Sequence, residues 1–587
     1  MDFFSILSLI GGLALFLYGM NVMGDGLKKL SGGKLEYFLG QLTSNRFKGF
    51  LLGFVVTAII QSSSATTVML VGFVNSGIMK LSQTISIIMG ANVGTTVTSW
   101  LLSLSGISGE SFFIKIFKPS SFTPILAAIG VIMSMVAKSD KKKDVASILL
   151  GFAVLMFGMD AMSGAMSGLK DDPRFAQILV MFSNPIMGIL SGLILTAIIQ
   201  SSSASVGILQ ALSATGAITY ATAIPIILGQ NIGTTITPIL SSINGNKESK
   251  RVAFSCLYIK IIGVVIVSVA FYILNHILSF SFMGPDVYVN AFNIAVIHTL
   301  FNIISTVILI PFCDKLEALA NYTIKSKDTS EDKTDAFSTL DDRFLTLPTF
   351  AVEKCRELVY GMAQLSHNSV SDGTALLYQY DSKIDETVNK YEGEVDKYED
   401  KISAYLVNLA SHKLNIQDSQ QVTKLLHIIG DLERISDHAV NLADSAREMN
   451  TKKLKFSDEA MSELRVLTDA VREILDITTN MLKEDDLELA MSVEPLEQII
   501  DKLKARIKTN HIKRLTDGGC TVELGFILSD LLTNYERIAD HCSNIAVSVL
   551  GAANHLFEAH DYLSHVKKDG ENHFFEKYDY YKKKYTI

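Results

Sequence analysis

The chain is short of charge for its size: Asp, Glu, Lys and Arg make up 19% of its 587 residues, against 48% apolar residues. Ordinary soluble domains carry about 25% charged residues, so a wholly soluble protein is excluded. Cysteine is scarce too. Cys256, Cys313, Cys355, Cys520 and Cys542 are scattered, with no Cys-x-x-Cys pair, which excludes a disulfide scaffold and suits a reducing compartment for the polar part of the chain. No block of Lys and Arg accompanies the net charge of −8, so the electrostatic footprint of a nucleic-acid partner is missing. No Gly-x-x-x-x-Gly-Lys-Ser/Thr loop occurs, and with it goes the phosphate cradle of an ATP-driven pump. The apolar run at Phe3–Met23 has neither a basic leader nor a small-residue cleavage signal. It reads as a retained helix rather than a signal peptide.

What is present is unevenly spread. Apolar runs of near-spanning length, such as Phe3–Met23, Ile85–Leu104 and Val252–Leu274, stop near Phe312, and the remainder is dense in Lys, Glu and Asp. A membrane half therefore precedes a soluble half. Within the first half the peptide TAIIQSSSA occurs at Thr57–Ala65 and again at Thr196–Ala204, 139 residues on. The same offset relates Gly90–Thr98 (GANVGTTVT) to Gly229–Thr237 (GQNIGTTIT), and Gly12–Met20 to Gly151–Met159. The parts kept identical are polar, Gln-Ser-Ser-Ser and Asn-x-Gly-Thr-Thr. Polar groups retained at membrane depth mark a substrate path.

Loop charge orients the repeats. Loops Gly24–Lys48, Lys138–Asp144 and Asn244–Arg251 carry 12 Lys and Arg, whereas Ser105–Ser121, Ser167–Pro185 and Ser279–Asn290 carry 4. The first three belong on the cytoplasmic side, which puts the N-terminus outside and the soluble half in the cytoplasm. The helix around Gly12 then runs inward and its partner around Gly151 runs outward, so the repeats are inverted. Between Lys48 inside and Ser105 outside the chain must cross an odd number of times, yet Phe50–Asn75 and Leu81–Leu104 are both apolar. A re-entrant hairpin broken at Gln61–Ser64, followed by one crossing, resolves this, and Ile189–Ala214 broken at Gln200–Ser203 repeats it.

Broken helices survive in a membrane only where the freed backbone groups line a cavity or meet protein. Two such breaks facing each other would present helix N-termini to an anion, while hydroxyl and amide oxygens suit a hard cation such as sodium. A single Ser or Thr in such a helix ordinarily bonds its own i−4 carbonyl, and the Gly12, Gly19, Gly24 spacing serves packing. It is the duplicated cluster that points to function. Lys260, deep in Val252–Leu274, either snorkels to the cytoplasmic surface or has a role.

The Gln61-Ser-Ser-Ser-Ala and Gln200-Ser-Ser-Ser-Ala motifs, with Asn92-x-Gly-Thr-Thr96 and Asn231-x-Gly-Thr-Thr235, resemble the type II sodium/phosphate cotransporter family over roughly residues 5–312. The resemblance implies that Gln61, Ser62, Ser63, Gln200, Ser201 and Ser202 contact phosphate. It implies that Ser64, Thr66, Asn92, Thr95, Ser203, Asn231, Thr234 and Thr235 contact sodium or close the site. Two departures stand out. The second motif continues Ser205-Val206 where the first has Thr66-Thr67, so the halves need not bind the same ion. The family's late Phe-Asn pair is matched at Phe301-Asn302, but Cys256-Leu-Tyr-Ile-Lys260 has Lys where Asn is expected, and an ammonium there could stand in for one sodium.

In the soluble half, residues 321–342 read as a polar linker and 343–560 as helical, with Pro348 and Pro495 as breakers. This half is duplicated as well. Glu433-Arg-Ile-Ser-Asp437-His438 returns as Glu536-Arg-Ile-Ala-Asp540-His541, and Glu392/Asp396 returns as Glu497/Asp501. Glu and Asp at i and i+4 share a helix face, and four such pairs on adjacent helices call for bound cations. These eight residues are the candidate metal ligands, for Mg, Mn or Fe by their oxygens, with His438 and His541 as means of admitting Zn. The Glu-Arg-Ile-x-Asp-His repeats resemble the PhoU family, tandem three-helix bundles tied to control of phosphate uptake, some with multinuclear metal clusters. The Lys/Tyr-rich tail, 561–587, reads as lying on the membrane surface or disordered.

The expectation is an all-α polytopic membrane protein with two re-entrant hairpins and inverted repeats at about 5–137 and 145–312 within 1–320, followed by cytoplasmic PhoU-like bundles. It would sit in the cell membrane and carry inorganic phosphate with sodium as co-substrate by alternating access. A homodimer and a cytoplasmic regulatory partner are compatible with it. Export through the same site is the alternative within the class. A metal-dependent phosphate-handling enzyme or sensor is the alternative outside it, and no nucleophile in the sequence supports an enzyme.

Overall fold

The structure is a computed structural model, and it describes residues 3–31, 45–106, 119–167, 173–284, 287–325, 336–412, 414–484, 486–554 and 571–587. Much of the expected linker (326–335), much of the loop Ser105–Ser121 and the start of the tail lie outside the described residues. The described residues form helices, with one isolated bridge between Thr219 and Tyr288. They divide into two compact units, Met1–Leu347 and Pro348–Ile587.

The first unit begins with α1 (Phe3–Ser31), then α2 (Arg46–Ile60), α3 (Ser63–Asn75), α4 (Leu81–Gly94) and α5 (Thr96–Ser103). After α6 (Pro119–Val136) the second repeat follows as α7 (Asp140–Met166), α8 (Pro173–Phe182), α9 (Pro185–Ile199), α10 (Ser202–Ser213), α11 (Tyr220–Gly233) and α12 (Ile236–Ser242). Three more helices, α13 (Lys247–Leu278), α14 (Ala291–Leu309) and α15 (Cys313–Thr323), complete it. Among the described residues six stretches are long and apolar enough to cross a membrane: Phe3–Leu30, Leu81–Gly106, Lys141–Met166, Tyr220–Ser242, Lys247–Leu278 and Ala291–Thr323.

Inverted repetition is visible in the packing. A Cβ on Gly12 would meet Met162 and Gly158, and one on Gly26 would meet Ile148 and Asp144. Rising numbers on α1 thus face falling numbers on α7, and the opening helices of the two repeats are antiparallel. Glycine is required there, because backbone meets backbone at Gly19 and Gly151. Around this contact Phe16, Leu155, Met156 and Met159 form a core with Ala204 and Ala211 of α10.

Helices α2 and α4 instead run parallel: Gly90 lies on the Phe50 carbonyl and Gly94 on that of Phe54. In the second repeat Gly229 lies on Ile189 and Gly233 on Leu193, the same pairs 139 residues later. Because α2 and α4 point the same way, α3 between them must return toward the side from which α2 entered. With 15 and 13 residues at about 1.5 Å each, α2 and α3 are about 20 Å long, short of a bilayer core of about 30 Å. The two expected re-entrant hairpins are therefore α2–α3 and α9–α10.

Residues 336–347, partly expected as linker, are built into this unit. Phe344 is fully buried, its ring 5.4 Å from that of Phe73 and against Gly72. Asp341 accepts from Asn75 Nδ2 at 2.8 Å, and Lys28 Nζ donates to the Thr346 carbonyl. The polar composition that suggested a linker hid the paired carboxylate Asp341, while residues 343–347 with Phe344, expected to open the PhoU-like half, belong to the first unit.

In the second unit α16 (Pro348–Leu376), α17 (Ser382–Ala410) and α18 (Ile416–Lys452) pack as one three-helix bundle, and α19 (Asp458–Glu484), α20 (Leu487–Thr516) and α21 (Val522–Asn554) as another. The bundles join through α18 and α21. Asn415 and Asp486 cap α18 and α20 by accepting backbone N–H groups at 2.7 Å. The expectation of a disordered tail is corrected for its described part: Glu571–Lys584 is a helix, α22, on α20. Its Tyr578 ring lies 4.5 Å under Lys502 Nζ of α20 and Lys584 pairs with Glu473 of α19 at 2.8 Å.

Candidate functional site

Both hairpins break at their glutamine. Gln61 has φ 61° and ψ 21°, and Gln200 has φ 58° and ψ 22°, a left-handed conformation that is uncommon for a residue with a Cβ. Each ends a helix by donating its N–H to the carbonyl four residues back, Thr57 at 2.8 Å and Thr196 at 2.7 Å. The next serine starts the following helix: Ser62 Oγ accepts from Ala65 N and Ser201 Oγ from Ala204 N, each at 3.2 Å. Two helix N-termini, with their uncommitted N–H groups and positive dipole ends, thus open at the two breaks.

The second arm of each hairpin packs on the other repeat: α3 against α12, and α10 against α5. Helices α5 and α12 start at the Asn-x-Gly-Thr-Thr turns, so each Gln-Ser-Ser-Ser helix lies beside the turn of its opposite number. Gln210 fastens one crossing by donating Nε2 to the carbonyls of Ser99 and Ala291, both at 3.0 Å. At the turns Thr95, Thr96, Thr234 and Thr235 donate to carbonyls three or four residues back, the ordinary pattern for hydroxyls in helices. Each oxygen keeps acceptor capacity. Ser63, Thr66, Asn92, Ser202, Ser203 and Asn231 are buried, and Ser62, Ser64 and Ser201 half-buried.

Although the backbones match, the side chains do not pair alike. Thr57 Oγ1 donates to Thr66 Oγ1 at 3.0 Å and Thr98 Oγ1 to Gln61 Oε1 at 2.7 Å. Their counterparts Thr196, Ser205 and Thr237 carry buried hydroxyls with no hydrogen-bond partner among the described residues, and Gln200 is exposed. Gln230 stands where the first repeat has Ala91. Its Nε2 donates to the Ser205 carbonyl at 3.0 Å, and its Oε1 is a further unpartnered acceptor. Unsatisfied buried oxygens are rare and call for an ion or water. The sequence flagged this place only through Ser205 replacing Thr.

In the second unit three of the eight candidate metal ligands, Glu392, Asp396 and Asp437, bring oxygens within 4.8 Å of one another. Burial and then the neighbouring carboxylates raise Glu392 and Asp437 above the usual carboxylate range. Glu433 is raised likewise, by burial and then Asp437. The other four are arranged differently. Burial, with Glu494 and Asp501 next, pushes Glu497 up to about 8, while Glu536 is paired with Lys504 and Asp540 lies 3.6 Å from Arg537. Sequence spacing did not reveal Glu494 or Lys504 as members of this cluster. His438 and His541 turn to the opposite bundle, Nδ1 of each 2.9 Å from Asn534 and Asp431 respectively, with their rings stacked at 5.6 Å.

Comparison with known proteins fits this division. Residues 15–164 and 167–284 match the model of the Na+/Pi-cotransporter family, and residues 359–446 and 464–549 match the PhoU domain. YjbB of Salmonella typhimurium ("Putative inorganic phosphate export protein") is 21% identical over 93% of this chain and 97% of its own length. YqeW of Bacillus subtilis is 29% identical over 55% of this chain and 99% of its own. Sodium-dependent phosphate transport protein 2A of Rattus norvegicus is 34% identical over 19% of this chain and 17% of that protein. The crystal structure of PhoU from Pseudomonas aeruginosa covers 35% of this chain and 97% of its own at 21% identity, with a TM-score of 0.33. The first half of this polypeptide is a Na+/Pi-cotransporter family domain with apolar helices fit to span a membrane, and its second half is a pair of PhoU domains.

Proposed function

We propose that the protein is a sodium-coupled symporter of inorganic phosphate working by alternating access, with the PhoU domains on the cytoplasmic side of the cell membrane as regulators. The observation that carries the reading is the pair of inverted hairpins broken at Gln61 and Gln200. Helix N-termini and serine hydroxyls at the breaks suit phosphate oxygens, with Gln61, Ser62, Ser63, Gln200, Ser201 and Ser202 in that role. The oxygens of Ser64, Thr66, Asn92, Thr95, Ser203, Asn231, Thr234 and Thr235 suit sodium. The unpartnered acceptors of Thr196, Ser205 and Gln230 support a hard cation in the second repeat. Regulation finds support in residues 336–347, which lead into Pro348 and are anchored by Phe344 on the first hairpin's α3.

The same reading places a divalent cation or an iron or zinc cluster on the PhoU carboxylates. Glu392, Asp396 and Asp437 fit it by their close oxygens and mutual repulsion; Glu433 borders them, and Glu497, Asp501, Glu536 and Asp540 would hold a second centre once Lys504 gives way. Such a metal supplies charge neutralisation and an ordered bundle. The likeness to YjbB over 93% of the chain favours a second reading, net export through the same site, since coupling fixes stoichiometry and gradients fix direction. Labelled phosphate flux in proteoliposomes, with sodium and phosphate gradients imposed separately in each direction, tests both. Uptake driven by inward sodium supports symport, and flux indifferent to sodium contradicts it.

A further inference from the structure

Lys260 lies thirteen residues into α13, about 20 Å from its start, and is only 5% exposed. It does not snorkel. Its Nζ donates to Asn231 Oδ1 at 3.1 Å, while Asn231 Nδ2 donates to the Ile227 carbonyl at 3.0 Å, so the amide oxygen faces the ammonium. Helix α13 packs on α3, α4, α11, α12, α14 and α15. The first four carry no Asp, Glu, Lys, Arg or His, and α14 carries only His298. Helix α15 carries Asp314, Lys315 and Glu317 near its own start, where Asp314 pairs with Arg46, and it is the far end of α15 that meets α13, with Tyr258 OH and Thr323 Oγ1 2.7 Å apart.

A buried ammonium without a carboxylate is costly unless it occupies a place built for positive charge. The first repeat shows what that place is. Asn92, the counterpart of Asn231, makes no side-chain hydrogen bond among the described residues, and its own helix α4 carries no Asp, Glu, Lys, Arg or His. One asparagine oxygen is left for a mobile cation, and the other is held by a tethered one. We propose that the Lys260 ammonium is a built-in cation that occupies the Asn231 site in place of a transported sodium ion, lowering the coupling number by one. This rests on sodium-coupled transport as proposed above.

The test is the reversal potential of labelled phosphate flux in proteoliposomes of the full chain, which reads sodium ions moved per phosphate, for wild type, Lys260→Asn, Lys260→Met and Lys260→Arg. The expected result is one more sodium per phosphate in Lys260→Asn than in wild type, with Lys260→Arg keeping the wild-type number. Should a variant not transport, equilibrium binding of labelled sodium to the purified protein gives the same count, with one extra ion bound by Lys260→Asn and none by Lys260→Met. An unchanged count in Lys260→Asn by both measurements overturns the inference while leaving sodium coupling intact. Wild type indifferent to sodium, with sodium dependence gained by Lys260→Asn, instead overturns the coupling reading and keeps the tethered cation.

Discussion

The two repeats of the membrane half share a backbone and differ in how their polar side chains are satisfied. In the first, Thr57 bonds Thr66 and Thr98 bonds Gln61. In the second the hydroxyls of Thr196, Ser205 and Thr237 have no partner among the described residues, and Asn231 receives Lys260. Duplication fixed what backbone geometry dictates: the left-handed glutamine, the serine cap and the glycine contacts. Side-chain hydrogen bonding is not fixed by the backbone and was free to diverge. Under the proposed function, that difference would set one anion site shared by both repeats beside unequal cation sites.

The comparison can be broken first at the glycines. Gly90→Ala and Gly229→Ala each drive a methyl into the backbone of a parallel neighbour, and each should cost about 3 kcal/mol, the upper end of ordinary overpacking. Thermal melting in detergent checks this, and a large loss in one repeat alone would disprove structural equivalence. The hydroxyl difference predicts opposite outcomes at equivalent positions. Thr66→Val strands the Thr57 hydroxyl and should lower stability by about 1–3 kcal/mol, whereas Ser205→Ala removes an unpartnered group and should leave stability unchanged or higher while weakening sodium binding. Equal destabilisation of the two would show that the second repeat is closed like the first.

The two PhoU bundles offer a similar contrast. Elemental analysis of the intact protein should find less bound metal in Glu392→Gln than in wild type and little change in Glu536→Gln, because Lys504 already neutralises Glu536. Metal lost equally from both variants would count against this ranking. The smallest effect is local to the first bundle. Arg447 donates Nε and Nη2 to Asp385 at 2.7 and 2.6 Å, and these bonds, followed by that from Tyr380, hold Asp385 below its ordinary carboxylate range against the opposing effect of burial. A lowered folded-state pKa gives stability that is complete above the unfolded value of about 4 and is lost as pH falls through the folded one. Arg447→Ala should therefore destabilise by about 2 kcal/mol at neutral pH and by progressively less below about pH 4. A penalty independent of pH would assign the effect to lost packing.

Much of this architecture was legible because its signals were periodic or duplicated. The breaks at Gln61 and Gln200, the inverted order and the duplicated helical half all follow from repeated peptides, apolar length and loop charge. Where a single contact decides the outcome, the sequence was silent. Asp341 lies in a polar stretch that reads as linker until Asn75 is seen beside it, and Phe344 reads as the start of the helical half until Gly72 is seen beneath its ring. Lys504 is an ordinary surface lysine until it meets Glu536, and the departure at Ser205 could not show that its hydroxyl and that of Thr196 go unpaired. Pairing across hundreds of residues depends on tertiary placement, which local spacing does not encode.

Sodium-driven phosphate flux through the paired hairpins is tested most directly by labelled phosphate uptake into proteoliposomes with an inward sodium gradient, comparing wild type with Gln61→Ala and Gln200→Ala. The account predicts uptake in wild type that collapses when potassium replaces sodium, and a loss of at least about tenfold in both variants, as removal of one transition-state or substrate contact of about 1.4 kcal/mol requires. Undiminished uptake in either variant, or wild-type uptake without sodium, would contradict it.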